Sequence, residues 1–355
     1  MHDLPDPESP KIGWFCSFVP EELILAAGLN PVRLEGRVDR VKEADAIAFT
    51  NLCPYLKNLI DSGLQHRFDD LAGIVFANTC DGIRRMYDLW LRHVETPWTY
   101  MLEVPKNTSD EAIDYFAARI LDLKNRLEAD FGADISEEKL GRAIAVMNER
   151  RRWVEELFQG RKADPVGLKG SELLGLLARE SSQPKSENPS WPGTRAERID
   201  DEKSAPDGRP RIMVTGNLIH RPALFDMIER AGGAVVLFDG CNGLRHYAGQ
   251  VEEGLPPITA LARRYLLKPS CARMPGVGDR LDRMESLARE YGVDGVVFSG
   301  LKYCDYSLFE APQAEKRFKE TGTPLLVLEN DYVWSDVERL RIRVEAFVEM
   351  IGSVL

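Results

Sequence analysis

Gly73-Ile74-Val75-Phe76-Ala77-Asn78-Thr79-Cys80-Asp81-Gly82 reads as a short strand that ends in polar residues and hands over to a helix. Its continuous apolar run needs cover on both faces, as strands of parallel sheets do. The pattern recurs near the other end of the chain as Gly295-Val296-Val297-Phe298, followed by Cys304-Asp305. Further out, Ala27-Gly28 and Leu34-Glu35-Gly36 have counterparts, at one shared offset, in Ala231-Gly232 and Phe238-Asp239-Gly240. A strand follows Thr96-Pro97 in one half and Thr323-Pro324 in the other. The shared order predicts a duplicated α/β unit.

Strands are expected over 32–34, 46–49, 74–76, 100–104, 211–215, 234–238, 296–298 and 325–328. Helices are expected over 20–27, 54–61, 83–93, 222–231, 280–291 and 311–321. This alternation predicts an α/β fold: two Rossmann-like lobes with parallel sheets, related as a pseudo-repeat, plus a helical segment between them. The segment starts at 110–131, where Ile113, Phe116, Ala117, Ile120 and Leu123 form a helical stripe. A second helix should run over about 136–159 with Ser136 as N-cap. The stretch 181–210 is rich in Pro, Ser, Glu, Arg and Asp and reads as a linker, and 335–351 as a closing helix. The expected division is therefore 1–108 first α/β lobe, 109–180 helical segment attached to it, 181–210 linker, and 211–355 second α/β lobe.

With 355 residues the chain has room for two domains at about 150 residues each. Lys and Arg number 46 against 57 Asp and Glu, a net charge of −11, which argues against a nucleic-acid partner. No stretch reaches the ~18 apolar residues of a membrane helix, and the opening residues show no signal-peptide core. A cytoplasmic, reducing compartment is expected. There the six cysteines should not be structural disulfides.

Those cysteines are Cys16, Cys53 and Cys80 in the first half, and Cys241, Cys271 and Cys304 in the second. None forms a C-x-x-C pair, which excludes zinc ribbons and bacterial ferredoxin loops. Nearly all fall at the ends of predicted elements, and Cys53 before Pro54 reads as a helix N-cap. Cysteines used only as small buried hydrophobes would fall inside elements instead. Helix N-terminal amides stabilise a thiolate or an anionic cluster, and thiolate-only ligation selects iron–sulfur clusters, zinc or Cu(I). Three thiolates per half is one short of a closed four-cysteine site, leaving a metal position open for substrate or a bridging ligand.

Other features read more plainly. Arg84-Arg85 and Arg150-Arg151-Arg152 look like solvated helix faces, and His246 like a surface residue. Gly276-Val277-Gly278 reads as a loop. No Walker-type phosphate loop is present in the sequence, so any ATP step belongs to a partner.

Gly13-Trp14-Phe15-Cys16-Ser17-Phe18-Val19-Pro20-Glu21-Glu22-Leu23-Ile24, running on to Ala26-Ala27-Gly28, resembles the 2-hydroxyacyl-CoA dehydratase and benzoyl-CoA reductase superfamily, of the 2-hydroxyglutaryl-CoA dehydratase D-component type. So do Leu52-Cys53-Pro54-Tyr55-Leu56-Lys57, Thr79-Cys80-Asp81-Gly82, Asp294-Gly295-Val296-Val297 and Lys302-Tyr303-Cys304-Asp305. The resemblance implies two Rossmann-like lobes with an iron–sulfur cluster in the cleft, fed by a separate ATP-hydrolysing iron–sulfur activator. In the dehydratases it implies paired homologous subunits and a [4Fe-4S] cluster on three cysteines, by position Cys53, Cys80 and Cys304. One electron then turns an acyl-CoA into a ketyl radical anion that expels its 2-hydroxyl group. The double-cubane branch of the superfamily is a closer resemblance. Its homodimers hold an [8Fe-9S] centre on six cysteines of each chain, and this chain has six with none left over. A reductive enzyme, an electron-transfer module and a metal-free binding protein are the three functions the residues leave open.

Overall fold

The structure, a computed structural model, describes residues 5–163, 166–183, 185 and 208–354. Most of the expected linker at 181–210 lies outside the described residues. The first alternating run is β1 (Lys11–Trp14), α1 (Glu21–Ala26), β2 (Asn30–Arg33), α2 (Glu43–Ile47), α3 (Pro54–Leu64), β3 (Leu71–Ala77), α4 (Asp81–His93) and β4 (Thr99–Leu102). Three helices follow: α5 (Asp110–Phe131), α6 (Glu137–Gly160) and α7 (Gly170–Ser182). The second run is β5 (Arg211–Gly216), α8 (Ala223–Arg230), β6 (Ala234–Asp239), α9 (Leu244–Tyr247), α10 (Pro257–Leu267), α11 (Val277–Glu290), β7 (Gly295–Leu301), α12 (Asp305–Thr321), β8 (Leu325–Asn330) and α13 (Val337–Gly352).

Each run builds a four-stranded, all-parallel sheet. The orders are β2-β1-β3-β4 and β6-β5-β7-β8, one and the same connection rule used twice. The duplicated α/β architecture expected from the sequence is thus present. Pro31 cannot donate to a ladder, and it sits in the edge strand β2. At α5, Ser109 caps the start by accepting from the Ala112 amide at 3.3 Å, and Gly132 ends the helix in the left-handed region. Ser136 accepts from the Lys139 amide at 3.3 Å and caps α6 as expected.

The chain divides into two compact units. The first comprises Met1–Arg152, Glu180–Pro189 and Gly249–Pro275; the second comprises Trp153–Arg179, Ser190–Ala248 and Gly276–Leu355. These differ from the linear segments drawn above because α10, which follows β6, buries Ala260, Leu261, Tyr265 and Leu266 and packs on α5 in the first unit. Burial of Leu261 and Leu266 stabilises by about 1.5–3 kcal/mol each. In the second unit Val154 and Phe158 of α6 and Leu173 and Leu177 of α7 share a core with Val214 and Val297 of the sheet.

Some local expectations fail for identifiable reasons. Residues 46–49, expected as a strand, belong to α2 and the turn after it. The Asp61 carboxylate accepts from the amides of Lys42 and Ala44 at 3.0 and 2.7 Å and so nucleates a helix there. Strand β1 had no β-branched run to announce it. It is nevertheless a central strand with Ile12 and Trp14 fully buried, and a Cβ on Gly13 would meet Leu34 Cδ1 at 2.8 Å.

Gly216, the last residue of β5, has φ 106°, and a Cβ there would lie 2.3 Å from the Ser299 carbonyl oxygen of β7. Gly216→Ala should therefore lower stability by about 2–3 kcal/mol, read as a lower urea midpoint. An unchanged midpoint would contradict the close approach.

Candidate metal centre

In a parallel sheet every strand ends on the same edge, and the helices that follow begin there. In the first unit this edge carries three of the cysteines. Cys16 lies two residues beyond β1, buried, with its carbonyl accepting from the Val19 amide at 3.1 Å. Cys53 is the N-cap of α3 with Pro54 at the first helical position, as the sequence predicted. Cys80 is the N-cap of α4, three residues after β3. The Cys16 sulfur and the Thr79 hydroxyl share a hydrogen bond at 3.2 Å.

Cys271 also belongs to the first unit, through the α10 segment. Its sulfur accepts from Arg273 Nη1 at 3.7 Å. Lys106 extends from an exposed position, and its ammonium donates to the Thr79 carbonyl. Burial pulls that ammonium below the ordinary lysine range; the nearby sulfurs of Cys80, Cys271 and Cys16 act against burial, while Arg273 adds to it. The fold thus brings Cys16, Cys80 and Cys271 into the electrostatic reach of one lysine.

The second unit carries Cys241, two residues beyond β6, and Cys304, the N-cap of α12. Asn217, directly after β5, receives the Leu301 amide on Oδ1 at 2.9 Å and donates Nδ2 to the Cys304 sulfur at 3.3 Å. Tyr303, just before that cysteine, has φ 59°, a strained value for an aromatic residue. Beside Cys241, burial would raise the Asp239 carboxyl, but Arg245 and Arg283 override it and hold it below the usual range.

All six cysteines are thiols. Cys16, Cys80, Cys271 and Cys304 are buried, and Cys53 and Cys241 are half-buried. Among the described residues no three His, Cys, Asp or Glu side chains form a single-ion site. The donor set suits a soft, anionic group: sulfur ligands, helix N-terminal amides behind three of them, and cationic or amide N–H groups directed at sulfur.

Several plain readings of the sequence need correction. Arg150 and Arg151 are buried, not solvated. Arg150 holds Glu180 through two hydrogen bonds, and Arg151 pairs with Glu22. The Tyr265 hydroxyl donates to Glu22 at 2.8 Å and accepts from the Glu21 amide at 3.2 Å. Two carboxylates inside the apolar run Phe18-Val19-Pro20-Glu21-Glu22-Leu23 were the available signal, since a buried acid needs a counter-charge. His246 is buried and packs edge-on against Tyr247. Gly276 is the left-handed N-cap of α11, and Val277 and Gly278 already belong to that helix. Arg84 and Arg85 are exposed, as expected. Lys106 and Asn217 carried no sequence signal, and Thr79 was marked only as the first residue of the Thr79-Cys80-Asp81-Gly82 motif.

With this geometry in view, comparison with known proteins decides the family. Residues 16–351 match the family described as 2-hydroxyglutaryl-CoA dehydratase, D-component. The chain belongs to that family. It is similar to YjiM of Escherichia coli (strain K12), by name a candidate dehydratase subunit, with 31% identity over 98% of this chain and 93% of the relative. The (R)-phenyllactyl-CoA dehydratase beta subunit of Clostridium sporogenes is 25% identical over 96% and 91%. One of the subunits of the benzoyl-CoA reductase of Thauera aromatica is 26% identical over 90% and 85%. The protein is accordingly an enzyme of this superfamily, a dehydratase or a reductase. Among the described residues no helix is long and apolar enough to cross a membrane.

On the same edge of the second unit, His220 stacks on Tyr332 with ring centroids 3.9 Å apart. Burial, then the charge of Arg221, pushes its imidazole down to about 3. Below about pH 6.5 the unfolded chain takes up this proton and the folded chain does not. The neutral ring's contribution is therefore complete above pH 6.5 and declines towards pH 3, by up to about 1.4 kcal/mol per pH unit. His220→Phe should flatten the acid limb of the stability–pH curve in that window. An unchanged limb would contradict the half-buried neutral ring.

Proposed function

We propose that this chain is the cluster-bearing component of a reductive enzyme, with Cys16, Cys53, Cys80, Cys241, Cys271 and Cys304 together holding a double-cubane [8Fe-9S] centre. The observation behind this reading is that the six thiols lie at strand ends, helix N-caps and loops rather than inside elements of the two like sheets. When bound, such a centre supplies single electrons of very low potential to a CoA thioester or a small unsaturated molecule. The chain's own residues orient and shield the ligands. Cys53, Cys80 and Cys304 sit at helix N-caps, Thr79 holds the Cys16 sulfur, and Lys268 donates to the Ser17 carbonyl and so fixes the loop that carries Cys16.

The electrons come from a separate ATP-hydrolysing iron–sulfur activator, because the sequence has no phosphate-binding loop of its own. The working assembly is a homodimer, or a heterodimer with a homologous subunit, in keeping with relatives named as subunits. Its compartment is the cytoplasm, where this many thiols stay reduced.

One observation favours a second reading. Cys53, Cys80 and Cys304 are N-caps of helices, whereas Pro20, Gly243 and Gly276 occupy the N-caps nearest the other three cysteines. On that reading the three hold a single [4Fe-4S] cluster in one subunit of a 2-hydroxyacyl-CoA dehydratase.

Cys16→Ser and Cys241→Ser separate the two. The double-cubane reading expects each to lose most of the visible charge-transfer absorption of anaerobically prepared protein. A Cys16→Ser variant with an unchanged spectrum would leave the single-cubane reading. In either case turnover should require the activator, and turnover with ATP alone would contradict the proposed electron source.

A further inference from the structure

Three sulfurs of the first unit, Cys16, Cys80 and Cys271, act electrostatically on one ammonium, that of Lys106. The Lys106 ammonium is anchored on the Thr79 carbonyl, the residue that also holds the Cys16 sulfur and precedes Cys80. That anchor adds little as a structural tie. The segment after β4 is already fastened to the segment after β3, since the Val104 amide donates to Asn78 Oδ1 at 2.8 Å and the Asn78 amide to the Leu102 carbonyl at 3.0 Å. Lys106 as a whole residue is exposed, so it is not there to fill a core. What it delivers is a compact positive charge to a place where sulfur collects. Arg273 brings a second cation to the same place through its contact with Cys271.

We propose that Lys106, seconded by Arg273, is a positioning residue that compensates the negative charge of a cluster held in part by Cys16, Cys80 and Cys271. This rests on the cluster reading above. A cation fixed beside a thiolate-ligated cluster favours the more negative, reduced state and so raises the reduction potential. Because the charge and not the shape matters, arginine at this position should serve and an isosteric apolar chain should not.

The test uses anaerobically purified full-length protein in three forms: wild type, Lys106→Met and Lys106→Arg. Iron content and the midpoint potential, followed by electron paramagnetic resonance during a redox titration, are measured for each. Lys106→Met should keep its iron and titrate at a more negative potential than wild type, and Lys106→Arg should recover most of the difference. Loss of iron from Lys106→Met alone, with Lys106→Arg still loaded, also supports a charge role; loss from both overturns it. Iron-loaded Lys106→Met at the wild-type potential overturns the role of Lys106 and leaves the cluster reading intact. Wild-type protein without iron overturns both.

Discussion

Parallel pairing forces all four strands of a sheet to end on one edge, and the helices that return the chain start on that edge. Everything proposed for this protein depends on that constraint. It gathers β1 and β3, and with them Cys16 and Cys80, on one side of the first sheet, and β6 and β7 on the corresponding side of the second. It also points backbone N–H groups at that side, the environment that favours a thiolate. The proposal that cysteines scattered from Cys16 to Cys304 serve one chemistry rests on this repeated sheet order.

The repetition is close but not complete, and the departures carry information. Cys80 and Cys304 are true counterparts, each an N-cap after a central strand and each followed by an aspartate. Cys16 follows β1, whereas Asn217 follows β5 and spends its amide on the Cys304 sulfur. Cys241 follows β6, whereas Gly36 and Arg37 follow β2. A pure duplication would have placed the thiols symmetrically. Instead, by compact unit, four belong to the first and two to the second, because the α10 segment carries Cys271 into the first unit. The same segment brings Lys268 against the β1–α1 loop and Tyr265 against the first turn of α1, where Glu22 forms a buried pair with Arg151 of α6. A buried ion pair of this kind contributes little net stability, yet breaking it is costly, which makes it a good device for fixing one loop geometry.

The sequence made the sheets legible where a strand was β-branched and ended in a polar turn, as at 73–77 and 295–301. It also showed the N-cap roles of Cys53 and Ser136, since capping is local chemistry. It hid what depends on long-range contact. Lys11-Ile12-Gly13-Trp14 is a strand flanked by β2 and β3, and residues 46–47 are helical because Asp61 caps the helix they end. Arg151 looked solvated because its partner lies 129 residues away. The family motifs contained Cys16, Cys53, Cys80 and Cys304 but not Cys241 or Cys271, and none contained Lys106 or Asn217, whose contacts with Thr79 and Cys304 are set by tertiary placement.

The most direct measurement of the central claim is the iron and acid-labile sulfide bound per chain after anaerobic preparation. The account predicts about eight irons and about nine sulfides on the six thiols. About four of each would replace the double cubane with a single cluster. Protein that binds neither, while folded, would contradict the account.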